Sequence, residues 1–439
     1  MRGLGAKLSY PLAERYTKRH IRQKKARLDA WLAEDSKKRA HRLHLALCDV
    51  VQYAEKYVPY YHDLFRRTRF NPERLRNDVH YWQDIPFLTK ETILANPERL
   101  LSTEFPRDAL AERKTSGSTG STLSFYYSKE DLDWVSATVA LMNEAISRRL
   151  SDREAHLVYV DNNTKRAGFL GRMREKAKLA IVNRSNINIR DLSLESVRLY
   201  LHTIKQQKPY LLYGLQSTLK ALIQVSQNES DCHGLCEYFV SSGETLDTRS
   251  TQIIRDAVGC SVVNRYGNAE FGAVAQSVDN PQELRIIDGT VFPENFVIQG
   301  CSEIVLTTLV GRAMPLIRYR TGDLGVVEKL HDGTYMVSKI VGRVHDTVSF
   351  GGSTFTTSYI ATCLHAQFRI HDFQIVQYGE HLPEFRIVTD YPEQLPDIEK
   401  SLGTMVGIPV KVKRIRPADI IRKGRQMKFA YYVRETTEM

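Results

Sequence analysis

The chain has 439 residues, 42% of them hydrophobic and 26% charged, with a formal net charge of +11 at pH 7. This length predicts two or three domains, and the composition is typical of globular proteins. No run approaches the roughly 18 apolar residues of a membrane-spanning helix, and the N-terminus lacks the apolar core of a secretory signal. The six cysteines are few for this length. We therefore expect a cytoplasmic protein with reduced thiols.

Much of the positive charge lies in residues 1–43, which carry six lysines and seven arginines against four acidic residues. The segment is predicted to be a helical arm with a short apolar stripe at Leu28, Trp31 and Leu32. A solvated surface helix explains this charge. The main alternative is docking on an anionic membrane surface or an acidic partner, which would make the protein membrane-peripheral. Nucleic acid has no supporting motif.

The hydrophobic pattern then alternates between helical and strand-like periods. Apolar positions between residues 43 and 66 predict a helix, Thr89 can cap a short helix, and Ser128 can open another over 129–150. Short β-rich runs alternate with helix-length segments, which predicts an α/β sheet with helices on both faces. These runs are His156–Val160, Tyr210–Tyr213, Tyr238–Val240 and Ser261–Asn264.

After about residue 284 strands and turns dominate, and beyond Gly342 the pattern predicts a separate, smaller unit. The predicted architecture is a large N-terminal α/β domain followed by a small, mobile α+β C-terminal domain. The predicted bounds are 1–43 for the basic arm, 44–341 for the large domain and 342–439 for the small one.

A loop rich in hydroxyls and glycines follows residue 114. Residues 113–126 read Arg-Lys-Thr-Ser-Gly-Ser-Thr-Gly-Ser-Thr-Leu-Ser-Phe-Tyr. Side-chain hydroxyls and bare backbone N–H groups can hold a phosphate, and Gly117 and Gly120 allow close approach of the chain. The loop is not the standard nucleotide P-loop, because no Gly-Lys-Ser or Gly-Lys-Thr occurs in the chain. Taken alone, it is explained equally well as a solvated turn.

Further motifs follow this loop in order along the chain. Residues 241–245, Ser-Ser-Gly-Glu-Thr, come directly after a hydrophobic strand, where backbone groups face a cleft. Residues 266–270, Tyr-Gly-Asn-Ala-Glu, offer an aromatic face for a purine and a carboxylate for Mg²⁺. Asp323 ends a Thr-Gly-Asp turn and could accept both hydroxyls of a ribose. Gly342-Arg343 leads towards a glycine pair at 351–352 that could serve as a hinge.

Together these segments resemble the adenylate-forming superfamily of acyl-CoA synthetases and its relatives. The likeness is closest to the phenylacetate–CoA ligase branch, including the CapK-type proteins of capsule biosynthesis. Tyr60–Phe65 and Ile85–Lys90 are similar to the opening segment of that branch, and Met314–Asp323 is similar to its most distinctive stretch. The resemblance covers roughly residues 45–430.

The resemblance implies a role for each matching residue. The ATP phosphates would lie on the hydroxyl-rich loop, adenine between the two following motifs, and the ribose at the Thr-Gly-Asp turn. Glu270 would bind Mg²⁺ and take part in catalysis, and Arg343 would contact ribose or phosphate. The implied nucleotide-binding residues are Ser116, Gly117, Ser118, Thr119, Gly120, Gly243, Glu244, Tyr266, Gly267, Asp323 and Arg343.

The chain departs from the family pattern at two places. The hinge position carries His345-Asp346 where an aspartate pair is usual. The family's C-terminal catalytic lysine follows a glycine, whereas here Gly424 is followed by Arg425, with lysines at 423 and 428. An arginine can also stabilise phosphate charge, but with a different donor shape. We expect the catalytic cation to be Arg425, with Lys428 and then Lys423 as the alternatives.

The implied activity is ATP-dependent activation of a carboxylic acid as an acyl-adenylate, followed by acyl transfer. The implied cofactors are ATP and Mg²⁺, with CoA as one candidate acceptor and polysaccharide assembly as one candidate pathway. Two alternatives stay open: transfer of AMP to a hydroxyl of a cofactor, and a catalytically weak nucleotide-binding scaffold.

Overall fold

The computed structural model describes residues 2–114, 123–159, 169–226, 229–298, 301–343, 347–350, 353–378, 383–423 and 428–435. Its helices are α1 (Arg2–Tyr16), α2 (Ile21–Leu32), α3 (Ser36–Tyr57), α4 (Pro59–Thr68), α5 (Lys90–Ala95), α6 (Lys129–Ala145), α7 (Phe169–Ile181), α8 (Leu194–Gln207), α9 (Gln216–Ser226), α10 (Glu229–Cys232), α11 (Thr248–Val258), α12 (Thr357–Gln367) and α13 (Leu395–Val406).

The strands are β1 (Ala111–Lys114), β2 (Ser124–Tyr127), β3 (Glu154–Tyr159), β4 (Arg184–Ile189), β5 (Leu211–Gly214), β6 (Tyr238–Ser242), β7 (Ser261–Asn268), β8 (Gly272–Ser277), β9 (Glu283–Ile286), β10 (Val291–Ile298), β11 (Cys301–Thr308), β12 (Tyr319–Lys329), β13 (Tyr335–Arg343), β14 (Thr347–Phe350), β15 (Ser353–Thr356), β16 (Asp372–Tyr378), β17 (Glu384–Val388), β18 (Lys411–Arg414), β19 (Arg422–Lys423), β20 (Lys428–Phe429) and β21 (Tyr432–Glu435).

The centre of the molecule is an eleven-stranded sheet in the order β10-β11-β12-β13-β9-β8-β7-β6-β5-β3-β4. At one side of the sheet the neighbouring strands β4, β3, β5, β6 and β7 pair in parallel. At the other side all neighbouring pairs are antiparallel, from β7 with β8 to β11 with β10. The four β-rich runs predicted from the sequence correspond to β3, β5, β6 and β7. The predicted α/β class is therefore confirmed.

Apolar side chains bury the parallel strands on both faces. Leu212 and Phe239 are fully buried on one face in a cluster with helices α8, α9 and α11. On the other face Val240 packs with Val263 and with Ile146, which follows α6. Strands covered on both faces carry continuous hydrophobic runs, which is why their sequence signal is strong. Their carboxyl ends meet at one edge, where the polar motifs lie.

A second sheet, β18-β17-β16-β21, forms the smaller C-terminal domain with α12 and α13. Its own core includes the fully buried Phe373, Phe385 and Ile398. The predicted large and small domains are therefore both present in the fold. The residue bounds drawn from the sequence stay a prediction.

The basic N-terminal segment folds onto the large domain. Helix α3 runs without a break across residue 43, where the change in charge suggested a boundary. Leu28 and Trp31 of α2 are only 2% and 8% exposed. Three basic side chains of the segment pair with acidic residues of α6: Arg19 with Asp133, Lys24 with Glu130, and Lys25 with Glu144. Three of the thirteen basic side chains of the segment thus face carboxylates of the large domain.

Among the described residues, no helix is both long and apolar enough to cross a membrane.

Candidate active site

The turn at residues 321–323 is held in a fixed shape inside β12. Gly322 has a φ of 76°, a left-handed conformation that favours glycine, and its N–H donates to a Glu303 carboxylate oxygen at 2.9 Å. The Thr321 hydroxyl donates to the Ile304 carbonyl oxygen at 2.7 Å and accepts from the Asp323 N–H at 3.1 Å. These bonds fix the position of Asp323, which is buried.

Tyr266 and Asp323, from two separate motifs, are brought together in the structure. The Tyr266 hydroxyl at the end of β7 donates to Asp323 Oδ2 at 2.7 Å. Burial, and after it the negative charge of Asp323, raises the pKa of Tyr266 well above its usual value. The tyrosine hydroxyl therefore stays protonated and holds one oxygen of the Asp323 carboxylate in place.

Glu270 lies close to the same pair. Its charge also contributes to the raised pKa of Tyr266, and the Tyr319 hydroxyl donates to Glu270 Oε1 at 3.2 Å. The Tyr127 hydroxyl donates to the Ala269 carbonyl oxygen. A cavity of about 50 Å³ is lined in part by Glu270 and Tyr127. Aromatic hydroxyls therefore position both the carboxylate of Glu270 and the backbone beside it.

Gly267 shows why this motif needs a glycine. A Cβ atom added at Gly267 would lie 2.3 Å from the carbonyl oxygen of Gly272 on the neighbouring strand β8. No side chain can be accommodated at that distance. The close approach of β7 and β8 thus fixes the short connection between Tyr266 and Glu270.

Glu244, two residues after the end of β6, binds the start of helix α9. Its carboxylate accepts from the Ser217 N–H at 3.1 Å and from the Ser217 hydroxyl at 2.8 Å. The preceding Gly243 has a φ of 91°, which is again left-handed. A carboxylate at a helix N-terminus is favoured by the free N–H groups and the helix dipole. This contact orients the Gly243-Glu244 segment at the edge of the sheet.

The C-terminal hairpin β19–β20 contacts the same site. Phe429 donates its backbone N–H to Glu244 Oε1 at 2.7 Å, and Arg422 Nη1 donates to the Ser217 hydroxyl oxygen at 2.8 Å. Lys423 and Lys428 are backbone partners across this hairpin. The hairpin that carries two of the predicted catalytic cations therefore lies against Glu244, although the two belong to different domains.

A buried ion pair also joins the two domains. Lys220 Nζ on α9 lies 3.0 Å from Asp372 Oδ2 on β16, and their side chains are only 4% and 12% exposed. Lys220 also donates to the Ser250 hydroxyl oxygen at 3.2 Å. Nearby, Arg249 of the large domain lies 2.9 Å from His365 Nδ1 of the small one. Burial and the Arg249 charge lower the pKa of His365, so the ring stays neutral and accepts.

Several predicted residues lie outside the described parts of the chain. These are the hydroxyl-rich loop with Ser116, Gly117, Ser118, Thr119 and Gly120, the hinge residues 345–346 and 351–352, and Arg425. For Lys423, Lys428 and Arg343 the structure describes the backbone alone. Arg343 is the direct register partner of Asp323 across β12 and β13, so two predicted residues are neighbours in the sheet.

The donor set is compatible with Mg²⁺ bound chiefly by phosphate. No group of three or more His, Cys, Asp or Glu side chains within the described segments could hold a metal ion. Mg²⁺ commonly uses one or two carboxylates together with substrate phosphates and water. Glu270 fits that requirement as a single carboxylate, whereas a metal site built entirely from protein side chains is not present among those residues.

Sequence reasoning missed the residues that join the two domains. Ser217, Lys220 and Asp372 stand in no motif, and Arg422 was noticed only as a neighbour of the predicted cations. Their positions follow from tertiary packing. The one signal was a lysine and a serine among apolar residues of the α9 segment, because a lysine is almost never fully buried without a partner.

A scan against protein-family models and a search of curated proteins found no match. Solved structures do match. 2-Hydroxyisobutyryl-CoA ligase in the postadenylation state, in complex with 2-HIB-AMP, is 18% identical over 92% of this chain and 90% of its own, with a TM-score of 0.71. The same ligase in the thioesterification state, with 2-HIB-AMP and CoA, gives a TM-score of 0.59 at 18% identity over 91% of both chains.

A third match is the anthranilate CoA ligase AuaEII in complex with anthranoyl-AMP. It is 15% identical, with a TM-score of 0.52 over 82% of this chain and 75% of its own. The fold is therefore that of the adenylate-forming ligases, with a smaller C-terminal domain.

Proposed function

We propose that this protein is an adenylate-forming ligase that activates a carboxylic acid with ATP and then transfers the acyl group. The observation that carries the proposal is the convergence of Tyr266 and Glu270, from one motif, with Asp323 from another. Glu244, at the carboxyl end of β6, holds the hairpin of the small domain. This arrangement supports a nucleotide at the edge of the sheet with cationic side chains brought to it by the second domain.

In this proposal Asp323 accepts from the ribose hydroxyls, with Tyr266 Oη holding one of its oxygens. The ring of Tyr266 stacks on adenine beside Gly243 and Glu244. The hydroxyl-rich loop binds the phosphates through Ser116, Ser118 and Thr119, and Gly117 and Gly120 let the backbone approach them. Arg343 contacts ribose or phosphate, since its backbone lies directly across from Asp323.

The proposed chemistry has two steps. A carboxylate oxygen of the substrate attacks the α-phosphorus of ATP, the bond to pyrophosphate breaks, and acyl-AMP forms. An acceptor nucleophile such as the thiol of CoA then attacks the acyl carbon, and AMP leaves. Mg²⁺ bound by Glu270 would neutralise phosphate charge in the first step. The protein contributes position and fixed charge, which are the main requirements of such transfers.

The catalytic cation of the first step is proposed to come from the C-terminal hairpin. Arg425 is the first candidate and Lys428 and Lys423 follow, because the hairpin is anchored beside Glu244 by Arg422 and Phe429. The higher TM-score against the postadenylation state of 2-hydroxyisobutyryl-CoA ligase supports a domain arrangement suited to adenylation. A rotation for acyl transfer would have to break the Lys220–Asp372 pair.

The finer assignment to the phenylacetate–CoA ligase and CapK branch is also proposed. It is supported by the likeness of Met314–Asp323 to the distinctive stretch of that branch. Two structural contacts come from this stretch: Tyr319 donates to Glu270, and Asp323 accepts from Tyr266. A role in polysaccharide assembly is proposed with this assignment, because the resemblance to that branch implies it.

ATP–pyrophosphate exchange, screened over aryl, acyl and amino acids, tests the proposal. We expect exchange that depends on one class of acid, with CoA or an amine converting the acyl-AMP to free AMP and a stable acyl product. A stable AMP ester of a hydroxyl compound would show adenylyl transfer instead. ATP binding without exchange for any acid would show a scaffold and overturn the proposed activity.

A further inference from the structure

A groove of about 350 Å³ lies between helices α2, α3 and α6. Trp134 and Val310 line both this groove and the cavity beside Glu270, but no residue of its lining belongs to the motifs proposed to bind the nucleotide. Two of the three tryptophans of the chain, Trp31 and Trp134, line it together with Arg27 and Arg42. Ala46 of α3 and Val310 complete much of the wall. A few hundred cubic ångströms with aromatic walls and a few polar groups is typical of small-molecule sites.

The groove is preformed, because its tryptophan wall is fixed from behind. Trp31 Nε1 donates to Asp288 Oδ1 at 3.1 Å, and both residues are buried. A Cβ atom added at Gly289 would lie 2.9 Å from Leu28 Cδ2 and 3.3 Å from Trp31 Cγ. On the other side Lys24 Nζ stands 4.6 Å from the ring centre of Trp134. Neither indole can move far without breaking these contacts.

The charge at the groove is positive. Arg42 pairs with Glu34 at 2.9 Å and its guanidinium lies 5.7 Å from the ring centre of Trp31. The other basic side chains of α2 have carboxylate partners: Arg22, Lys24 and Lys25. Arg27 is exposed and has no ion-pair partner among the residues that the structure describes. It is therefore the cation left available to a ligand.

We propose that this groove binds a small planar aromatic anion, with its ring against Trp31 and Trp134 and its anionic group on Arg27. Aromatic walls select a flat ring, and the guanidinium selects a carboxylate, sulfonate or phosphate on its edge. This site does not depend on the proposed reaction. Its residues lie on α2, α3 and α6 and in the segments around Gly289 and Val310, and none of them belongs to the motifs proposed to bind ATP.

Isothermal titration calorimetry with naphthalene-2-sulfonate tests the groove in the full-length protein. This probe is a planar anion without a carboxylate, so it is not an acid that the proposed reaction could activate. We expect saturable binding that weakens about two- to fivefold in Arg27→Ala, the range for an exposed charged contact. Charge reversal in Arg27→Glu should weaken binding further. Arg15→Ala removes the same charge from an exposed position of the arm and should leave binding unchanged.

Filling the groove gives an independent variant. Ala46→Phe places a ring in the proposed site and should abolish binding of the probe, with circular dichroism showing whether the variant folds. Asp323→Ala should bind the probe as wild type does, whatever happens to nucleotide affinity. No saturable binding, or equal weakening in Arg15→Ala and Arg27→Ala, would overturn the proposal.

Discussion

Lys220 on helix α9 and Asp372 on strand β16 form an ion pair at 3.0 Å that is buried between the two domains. Both charged groups are removed from water in the fold, and this desolvation cost offsets much of their attraction. The loss of one partner is more destabilising than the loss of both, because it leaves the other charge buried and unpaired. Removing one member of a buried pair commonly costs about 3–5 kcal/mol, whereas replacing both with apolar residues is often neutral. The pair is thus placed to hold the small domain in the observed arrangement.

Lys220→Met should therefore loosen the domain contact, because Asp372 is left buried without its cation. We expect a larger radius of gyration in small-angle X-ray scattering and faster proteolysis between the domains. The double variant Lys220→Met/Asp372→Leu should restore much of the compact form. An unchanged scattering profile in the single variant would show that other contacts, such as that of Phe429 with Glu244, hold the domains.

Asp323→Ala should weaken ATP binding by roughly 10- to 100-fold, since a charge-assisted hydrogen bond contributes about 1.5–3 kcal/mol. Tyr266→Phe is the matched control. It removes the hydroxyl that donates to Asp323 but keeps the aromatic ring, so we expect a smaller loss. Equilibrium titration with ATP measures both. Wild-type affinity in Asp323→Ala would remove this residue from the nucleotide site.

The N-terminal segment should behave as part of the core. Leu28→Ala should lower the free energy of unfolding by about 2–5 kcal/mol, because the side chain is 2% exposed and its loss leaves a cavity. Leu45→Ala on α3 is the control, since Leu45 is 51% exposed and should change stability by less than about 0.5 kcal/mol. Urea unfolding compares them. Equal changes in the free energy of unfolding for the two variants would show that this segment is a separable arm and not part of the core.

Asp288 should make the protein less stable as the pH rises. Burial is the main cause that raises its pKa from 3.8 to about 6, and one of its oxygens has no partner among the described residues. The folded chain therefore keeps a proton that the unfolded chain releases between about pH 4 and pH 6. The stability contributed by the neutral acid is present below about pH 4 and is lost as the pH rises through about 6.

Asp288→Asn keeps a neutral acceptor for Trp31 and removes this titration. Relative to wild type it should gain at most about 3 kcal/mol between pH 4 and pH 7.5, from the linkage between pKa and stability. Urea unfolding at several pH values measures the difference. Asp279→Asn, at an exposed position after β8, should follow wild type. A difference between Asp288→Asn and wild type that does not change with pH would contradict the buried-acid account.

The sequence predicted the large sheet well because its parallel strands are buried on both faces and carry strong hydrophobic runs. It also named Tyr266, Glu270 and Asp323, since turns and glycines restrict those motifs locally. Neither the hydrogen bond between Tyr266 and Asp323 nor the Lys220–Asp372 pair was foreseen. Both join residues more than fifty positions apart, and no local period records such a contact. The ion pairs of the basic segment with α6 were not foreseen for the same reason, because the two elements lie about a hundred positions apart in the sequence.

Alanine substitution of the C-terminal cation is expected to separate adenylation from acyl transfer. If the hairpin β19–β20 delivers a cation to the α-phosphate, replacing that one residue with alanine should abolish adenylation. Acyl transfer from supplied acyl-AMP should persist, because in that step the protein no longer needs a cation at the α-phosphate. Arg425→Ala is expected to show this loss, by several orders of magnitude in ATP–pyrophosphate exchange.

Lys423→Ala and Lys428→Ala should have smaller effects, and Lys413→Ala serves as a control in the same domain because it removes an exposed cation from β18.

Arg422→Ala probes anchoring instead: it removes the contact with Ser217 and should slow adenylation while leaving Arg425 in place. Exchange and single-turnover transfer are measured for each variant. Full exchange in Lys423→Ala, Arg425→Ala and Lys428→Ala would show that none of these cations replaces the family lysine. A loss confined to Lys428→Ala would instead assign that role to the strand residue, since Lys428 lies next to the Phe429 N–H that Glu244 holds.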